Sequence, residues 1–313
     1  MKPMAGRRWG TPCLPNGRMS RLLITGGSGF IGRNLVDHWG KRHEVFAPSR
    51  SELNLLDACA VRNYVEAHRF DVVVHSATER SNRRVGSAQE LLENNCRMFF
   101  NLERNWQAFG RMLFLSSGAV YDRAHWRSRM SEDYFDTHVP GDDYGFSKYI
   151  CAKAVDGAER IYELRLFGVF GPYEDWQVRF LSNACCRAIW DLPVLIRRNV
   201  LFDYLDVEDL SRILERFFAG DLRQRHYNIC SGRSFDLKTL AAKVVAASGQ
   251  NLEILTIDDN PGIEYGGDNR AMLEELPGFC LRDMDDSIGS LYRWYEERKT
   301  TIDPALLRFD DKK

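Results

Sequence analysis

Arg21-Leu-Leu-Ile-Thr-Gly-Gly-Ser-Gly-Phe-Ile-Gly32 is a short apolar run that breaks into Gly26, Gly29 and Gly32 and then continues with helical periodicity. Phe30, Ile31, Leu35, Val36 and Trp39 share one face of that helix, so strand, glycine turn and helix follow in the order a dinucleotide-binding turn requires. Each glycine has its own task. The first permits a tight bend, the second lets the backbone approach a pyrophosphate, and the third lets the helix pack on the sheet. Gly26, Ser28, Gly29, Phe30, Ile31 and Gly32 are therefore the candidate dinucleotide contacts.

The rest of the chain is compatible with a large enzyme-sized domain. Its 313 residues are 44% hydrophobic, enough for a sizeable core. A formal net charge of −1 offers no bulk attraction for nucleic acid or an anionic membrane, so neither is an expected partner. No apolar run reaches the ~18 residues that would span a bilayer. The eight cysteines form no C-x-x-C pair and no metal-type spacing with histidine, which predicts reduced thiols in a cytoplasmic protein and no metal site. Cys185-Cys186 falls in an apolar helical stretch and is read as packing. Residues 1–19, rich in Gly, Pro and Arg, lack the apolar centre of a secretory signal and are read as a disordered extension.

From residue 20 onward, β-branched runs alternate with amphipathic stretches, the signature of a parallel sheet covered on both faces. The predicted strands are 22–25, 44–47, 71–75, 112–116 and 162–167, with helices starting near Gly29, Asp57, Ser87 and Ser147. The expected fold is α/β: a Rossmann doubly wound sheet over residues 20–167 and a smaller substrate-binding lobe over 168–313. Phe202–Val207 as strand and Glu208–Phe218 as helix are expected to return to the main sheet, interleaving the two parts.

Tyr144-Gly-Phe-Ser-Lys148 puts a phenol and an ammonium one helical turn apart. An ammonium held there favours phenolate, so the tyrosine can exchange a proton with an alcohol or ketone near neutral pH. Leu115-Ser-Ser117 closes the fourth strand and sets a hydroxyl at the C-terminal edge of the sheet, where ligands of parallel α/β sheets bind. Ser117, Tyr144 and Lys148 beside a nicotinamide are a set for hydride transfer at a carbonyl carbon. His75, ending a buried strand, is read as packing beneath the cofactor.

With these motifs in order, the chain resembles the extended short-chain dehydrogenases/reductases of the nucleotide-sugar epimerase, dehydratase and reductase kind. Thr25–Gly32 is similar to their T-G-x-x-G-F-I-G, Val73–Ala77 to V-I-H-x-A-A, Arg165–Pro172 to R-x-x-N-V-Y-G-P and Tyr227–Gly232 to Y-N-I-G-S-G. Asn94-Asn95 and Ser116-Ser117 before Val120-Tyr121 match further motifs. The resemblance spans roughly residues 20 to 285. It implies NAD(P) lined by Ser76, Ala77 and Asn95 as well as the glycine turn, Tyr144 and Lys148, a substrate touching Thr78 and Ser117, and a homodimer formed through two helices per subunit.

Departures from the family pattern narrow the chemistry. Its 4,6-dehydratases follow the catalytic hydroxyl with Asp-Glu, where this chain has Gly118-Ala119. Decarboxylating members need a glutamate at the second place, and reductases that also epimerise C3 and C5 need a cysteine there; Ala119 supplies neither. What remains is a carbonyl reductase, with a 4-epimerase as the alternative and a non-catalytic NAD(P)-binding regulator as a lesser one. Cofactor type is read after the second strand, where NAD enzymes carry an acidic residue. Ser49-Arg50 there suits a 2′-phosphate and favours NADP over NAD. The following Glu52-Leu-Asn-Leu-Leu-Asp57 resembles NADP-dependent GDP-4-keto-6-deoxymannose reductases and fucose synthases, in which Asn54 and Leu55 would lie by the adenine. Two arginines with which the family grips a diphosphate are replaced by Phe202 and Asn260, leaving Arg179, Arg197, Arg198 and Arg270 as substitutes. The expected substrate is a small molecule, a 4-keto-6-deoxy nucleotide sugar.

Overall fold

The computed structural model describes residues 19–79, 88–258, 260 and 262–307, so the expected extension before residue 19 and the helix start at Ser87 lie outside it. Its strands are β1 Arg21–Thr25, β2 Glu44–Phe46, β3 Val72–His75, β4 Arg111–Ser117, β5 Ile161–Leu166, β6 Gly168–Phe170, β7 Val194–Arg198, β8 Leu201–Asp206, β9 His226–Ile229, β10 Ser234–Asp236 and β11 Ile254–Asp258. Its α-helices are α1 Phe30–Trp39, α2 Ala58–His68, α3 Ala88–Glu103, α4 Asp143–Val155, α5 Phe180–Ile189, α6 Val207–Arg216, α7 Leu237–Ser248, α8 Arg270–Glu274 and α9 Met284–Glu296.

Six strands pair in the order β2-β1-β3-β4-β5-β9, every ladder parallel. Successive side chains of a strand point to opposite faces, and both faces of this sheet are apolar. Leu22 and Ile24 of β1 pack with α1 and α6 on one side, while Leu23 packs with α2, α3 and α4 on the other. All three leucine and isoleucine side chains are fully buried, each contributing about 1.5–3 kcal/mol relative to exposure. The chain leaves β1 for β2 on one side and returns to β3 on the other, so the crevice at the C-terminal ends of β1 and β3 is the topological switch point. Local chemistry fixes the helix starts: Asp57 caps α2 by accepting from the Cys59 and Ala60 amides at 2.9 and 3.0 Å.

Two expectations need correction. Phe202–Val207 does not return to the main sheet; β8 lies between β10 and β6 in a separate three-stranded sheet. The reason is that β6 starts one residue after β5 ends and pairs with β8 away from the main sheet, leaving the edge of β5 to β9. Helix α4 begins at Asp143 rather than near Ser147, because Asp142 caps it through the Gly145 amide at 3.0 Å. The lobe helices α5, α7 and α9 enclose a core of their own, and Cys185 and Cys186 are fully buried in it. Phe99 and Phe109 are core residues of the main domain, with Phe100 and Trp106 half-buried beside them. The seven described cysteines are all free thiols. No described helix is long and apolar enough to cross a membrane, and the described residues hold no group of three or more potential metal ligands.

Candidate active site

Thr25 and His75, at the ends of β1 and β3, hydrogen-bond through Oγ1 and Nδ1 at 2.8 Å, and the same hydroxyl accepts from the Ala77 amide at 3.2 Å. This pins the glycine turn to the loop after β3. Gly26 has φ +70°, and a Cβ there would lie 2.8 Å from the Cα of Ala77. Gly32 sits in the first turn of α1 with its Cα against the Gly26 carbonyl, where a Cβ would be 2.2 Å from the oxygen. Between them Ser28 and Gly29 are exposed, and Gly29 starts α1 without any side-chain cap. The first-turn amides of α1 thus have no side-chain cap and lie beside a backbone cradle that a side chain would fill, which fits a pyrophosphate. Phe30 and Ile31 are half-buried and pack against the core beneath the turn. His75 is 1% exposed, and burial, with the charge of Lys148 adding to it, pushes its pKa down to about 3; it is a neutral packing residue.

The third helix supplies a clasp. Buried Asn95 accepts from the Glu79 amide at 2.8 Å and from Thr78 Oγ1 at 3.3 Å, and donates to the Glu79 carbonyl at 3.1 Å and to Ser147 Oγ at 3.5 Å. Its amide thus joins the loop of Ser76, Ala77 and Thr78 to α4, so it acts here as a positioning residue. Asn54 is exposed and uses its side-chain oxygen to hold the Leu56 amide at 3.2 Å. Leu55 is buried in the core, its carbonyl held by Asn101 at 2.8 Å.

Ser117 ends β4 with its hydroxyl accepting from the Ala119 amide at 3.2 Å, which turns the chain into a short 3-10 helix, Gly118–Val120. Helix α4 lies against that turn because residue 145 is glycine: a Cβ there would come within 2.7 Å of the Ala119 carbonyl oxygen. That close approach brings the start of α4, with half-buried Tyr144, against the turn that follows Ser117, a contribution of Gly145 that helical spacing alone does not reveal. Lys148 is 2% exposed, with Nζ 3.4 Å from the Leu115 carbonyl, 4.8 Å from the centre of the Phe114 ring and 5.8 Å from that of Tyr144. The structure thus gathers Ser117, Tyr144 and Lys148 at the C-terminal end of β4.

Three distant motifs converge below them. Arg165 of β5 donates to Tyr121 Oη at 2.8 Å, and Tyr121 donates to Asn228 of β9 at 2.7 Å. Glu163 neutralises the guanidinium at 2.8 Å. Burial works to raise the Glu163 pKa, but Arg165 and His226 outweigh it and hold the carboxyl below its usual range. These motif residues form one buried scaffold, which is why they accompany the reacting set without belonging to it.

At the end of β2, Ser49 donates through its amide and hydroxyl to Glu52 at 2.7 and 2.8 Å, so its hydroxyl is already engaged. Arg50 next to it is exposed. The arginines expected to substitute at a diphosphate are not gathered into one grip: Arg198 pairs with Asp258 between β7 and β11, Arg270 pairs with Asp268 at 2.9 Å, and exposed Arg179 precedes α5. A cavity of about 360 Å³ lined by Asn34, Asp206, Arg282 and Trp294 touches none of the reacting set. Sequence reasoning missed the aromatic wall over Gly118, formed by Phe167 and Tyr265, because nothing local links residue 265 to residue 118.

Comparison with known proteins agrees with this geometry. The sequence model of the NAD dependent epimerase/dehydratase family matches residues 22–230. A Pseudomonas aeruginosa ADP-L-glycero-D-manno-heptose-6-epimerase is 24% identical, covering 92% of this chain and 92% of its own. Among solved structures, a GDP-L-fucose synthetase from Naegleria fowleri superposes with a TM-score of 0.79 at 17% identity, over 90% of this chain and 94% of that chain. The same synthetase has been solved bound to NADP. The Bordetella bronchiseptica enzyme WbmG in complex with NAD superposes with a TM-score of 0.75 at 19% identity, over 96% of this chain and 100% of that chain.

Proposed function

Because the chain belongs to the NAD dependent epimerase/dehydratase family, we propose that this enzyme is an NADPH-dependent reductase of a 4-keto-6-deoxy nucleotide sugar. The observation that carries the reading is the Ser117, Tyr144 and Lys148 set, closed against a turn whose next two side chains, Gly118 and Ala119, carry no acid or base. The bound cofactor supplies the hydride. Ser117 and Tyr144 bind the carbonyl oxygen, Tyr144 delivers the proton to it, and the nearby Lys148 ammonium favours the phenolate left behind. Lys148 also reaches the ribose hydroxyls in this reading.

With NADPH deuterated at the transferred position and a panel of 4-keto-6-deoxy sugar nucleotides, the product should carry deuterium at C4 only, with one NADPH consumed per product. In D₂O no solvent deuterium should appear at C3 or C5, since no second acid/base pair is built into the turn. Solvent label at either carbon, read by mass spectrometry or NMR, refutes simple reduction. A second reading is a 4-epimerase that returns its hydride to the other face; the relative named as an epimerase supports epimerase chemistry, although its name places that reaction at position 6 of a heptose. The signature of the 4-epimerase is interconversion of C4 epimers without net loss of NADPH.

The NADP preference rests on Arg50, the exposed cation at the end of β2 whose neighbour Ser49 is already held by Glu52. NADPH should bind more tightly than NADH, and Arg50→Ala should shrink that gap by ~1–3 kcal/mol, the range for a hydrogen bond to a charged group. Equal affinities in the unaltered protein, measured by fluorescence titration, remove the preference and favour the epimerase.

A further inference from the structure

Cys185 and Cys186 are neighbours in α5, both fully buried, and burial pushes both thiols up, so they are packing residues out of reach of an oxidant. Cys96 and Cys151 are a pair of a different kind, facing each other across the seam between α3 and α4. Cys96 Sγ lies 3.9 Å from the Ser147 carbonyl oxygen. Carbonyls of an α-helix point toward its C-terminus and the residue four places on, so that oxygen stands at the level of Cys151. Cys151 is 1% exposed and belongs to one core cluster with Met98 and Phe99 of α3, against which Cys96 packs. The two thiols hydrogen-bond to each other.

The members of the pair are unequal. Cys96 is half-buried and open to a small solute, whereas Cys151 is closed off. The hydrogen bond from Cys151 holds the Cys96 thiol below its usual range, with burial opposing and the Lys148 charge assisting. Burial, with Cys96 beside it, pushes the Cys151 thiol well up. A reachable sulfur with thiolate character, set against a second thiol, is the arrangement in which oxidation ends as a disulfide. The pair also adjoins the reacting set. Asn95, the clasp between the loop after β3 and α4, immediately precedes Cys96, and Lys148 lies three residues before Cys151. Ser147, whose carbonyl Cys96 touches, holds the Tyr144 carbonyl through its hydroxyl at 2.7 Å. Sulfurs joined covalently stand closer than sulfurs in hydrogen-bond contact, so a bridge must draw α3 and α4 together at the turn that carries Tyr144 and Lys148.

We infer that Cys96 and Cys151 are a reversible oxidation site, joined by peroxide into a disulfide that displaces the Tyr144 and Lys148 turn of α4 and lowers turnover. The Cys96 thiolate attacks one oxygen of hydrogen peroxide, the O–O bond breaks, and the departing hydroxide takes up the thiol proton as water, leaving a sulfenic acid on Cys96. The Cys151 sulfur then attacks the Cys96 sulfur, the S–O bond breaks, and a second water leaves with the Cys151 proton. Two thiols are oxidised to one disulfide while one peroxide is reduced to two waters, and a dithiol reverses the bond by exchange. The kinetic consequence rests on the reading of Ser117, Tyr144 and Lys148 as the reacting set; the site of modification does not.

The test treats the reduced full-length protein with stoichiometric hydrogen peroxide, alkylates the remaining thiols and maps the peptides by mass spectrometry. Peptides joined through Cys96 and Cys151, released by dithiothreitol, are the expected product. Turnover of a 4-keto-6-deoxy sugar nucleotide should fall by about ten- to hundredfold on oxidation, the scale of a misplacement of about 1 Å, and return on reduction. Cys96→Ser should turn over like the reduced enzyme and be unmoved by peroxide. Cys151→Ser should stop at a Cys96 sulfenic acid, trapped by dimedone, with no bridge. Cys96 left unmodified, or joined to another cysteine or to a second copy of the chain, overturns the site. A complete Cys96 to Cys151 bridge with turnover unchanged overturns the displacement. An enzyme that reduces no sugar sinks the reductase reading instead, and the peptide map still decides the site. NADPH titration of the bridged and reduced forms then decides the displacement: several-fold weaker binding in the bridged form sustains it, and equal binding overturns it.

Discussion

Tyr144→Phe is expected to lower turnover by roughly 10²–10⁴-fold while NADPH affinity stays within a few-fold. The substitution removes one oxygen and leaves the ring that α4 holds in place. Nothing else changes in the packing of Gly145 on the Ala119 carbonyl or in the buried seat of Lys148. The proton donor is lost while the glycine turn that receives the cofactor is untouched, so kcat and kcat/KM should fall together. Single-turnover kinetics with saturating NADPH checks this directly. Activity near that of the unaltered enzyme would show that another group delivers the proton and that the set at the end of β4 has been misassigned.

Gly32→Ala should act on the other half of the reaction. Its methyl would lie 2.2 Å from the Gly26 oxygen, 2.8 Å from the Gly26 carbonyl carbon and 2.9 Å from the Gly27 Cα, all backbone atoms that cannot rotate away. Helix α1 must shift from the sheet, and the amides at its start shift with it. Overpacking of this kind costs about 1–3 kcal/mol, which corresponds to a roughly five- to 150-fold weaker NADPH affinity if it falls on the bound form. Gly29→Ala separates packing from contact: its methyl would meet only the Gly26 oxygen, at 3.2 Å, so the fold should be kept while the approach of the pyrophosphate is obstructed. Titration of NADPH together with a melting curve separates the outcomes: weaker binding with a modest loss of stability is expected, and unchanged binding would remove the turn from the cofactor site.

What was legible in the sequence was what local spacing encodes. The turn at Gly26, Gly29 and Gly32, the Tyr144 and Lys148 pair and the five alternating strands depend on residues close along the chain. Phe202–Val207 was legible as a strand but not as a member of its own sheet, because an apolar run reports burial and not the identity of its neighbours. The start of α4 was obscured by Gly145, which reads as a helix breaker until the Ala119 carbonyl explains it. Asn95 as a clasp, the Arg165, Tyr121 and Asn228 scaffold, and the packing of Phe167 and Tyr265 over Gly118 all join residues far apart in sequence. Motif matching located several of these residues without saying that they touch one another.

The position of β9 has a consequence for how the molecule comes to exist. During synthesis β5 emerges with its outer edge bare, and the ribosome must deliver β6, β7 and β8 before the strand that covers it. An uncovered edge presents a row of unpaired amides and carbonyls to any other strand nearby. Over that interval the nascent cofactor half is a template for mispairing, and helix α6, which seals one face of the sheet, arrives late as well. A chain cut after β5 would stay in that state permanently, holding every residue of the reacting set and lacking the edge that lets them persist in solution.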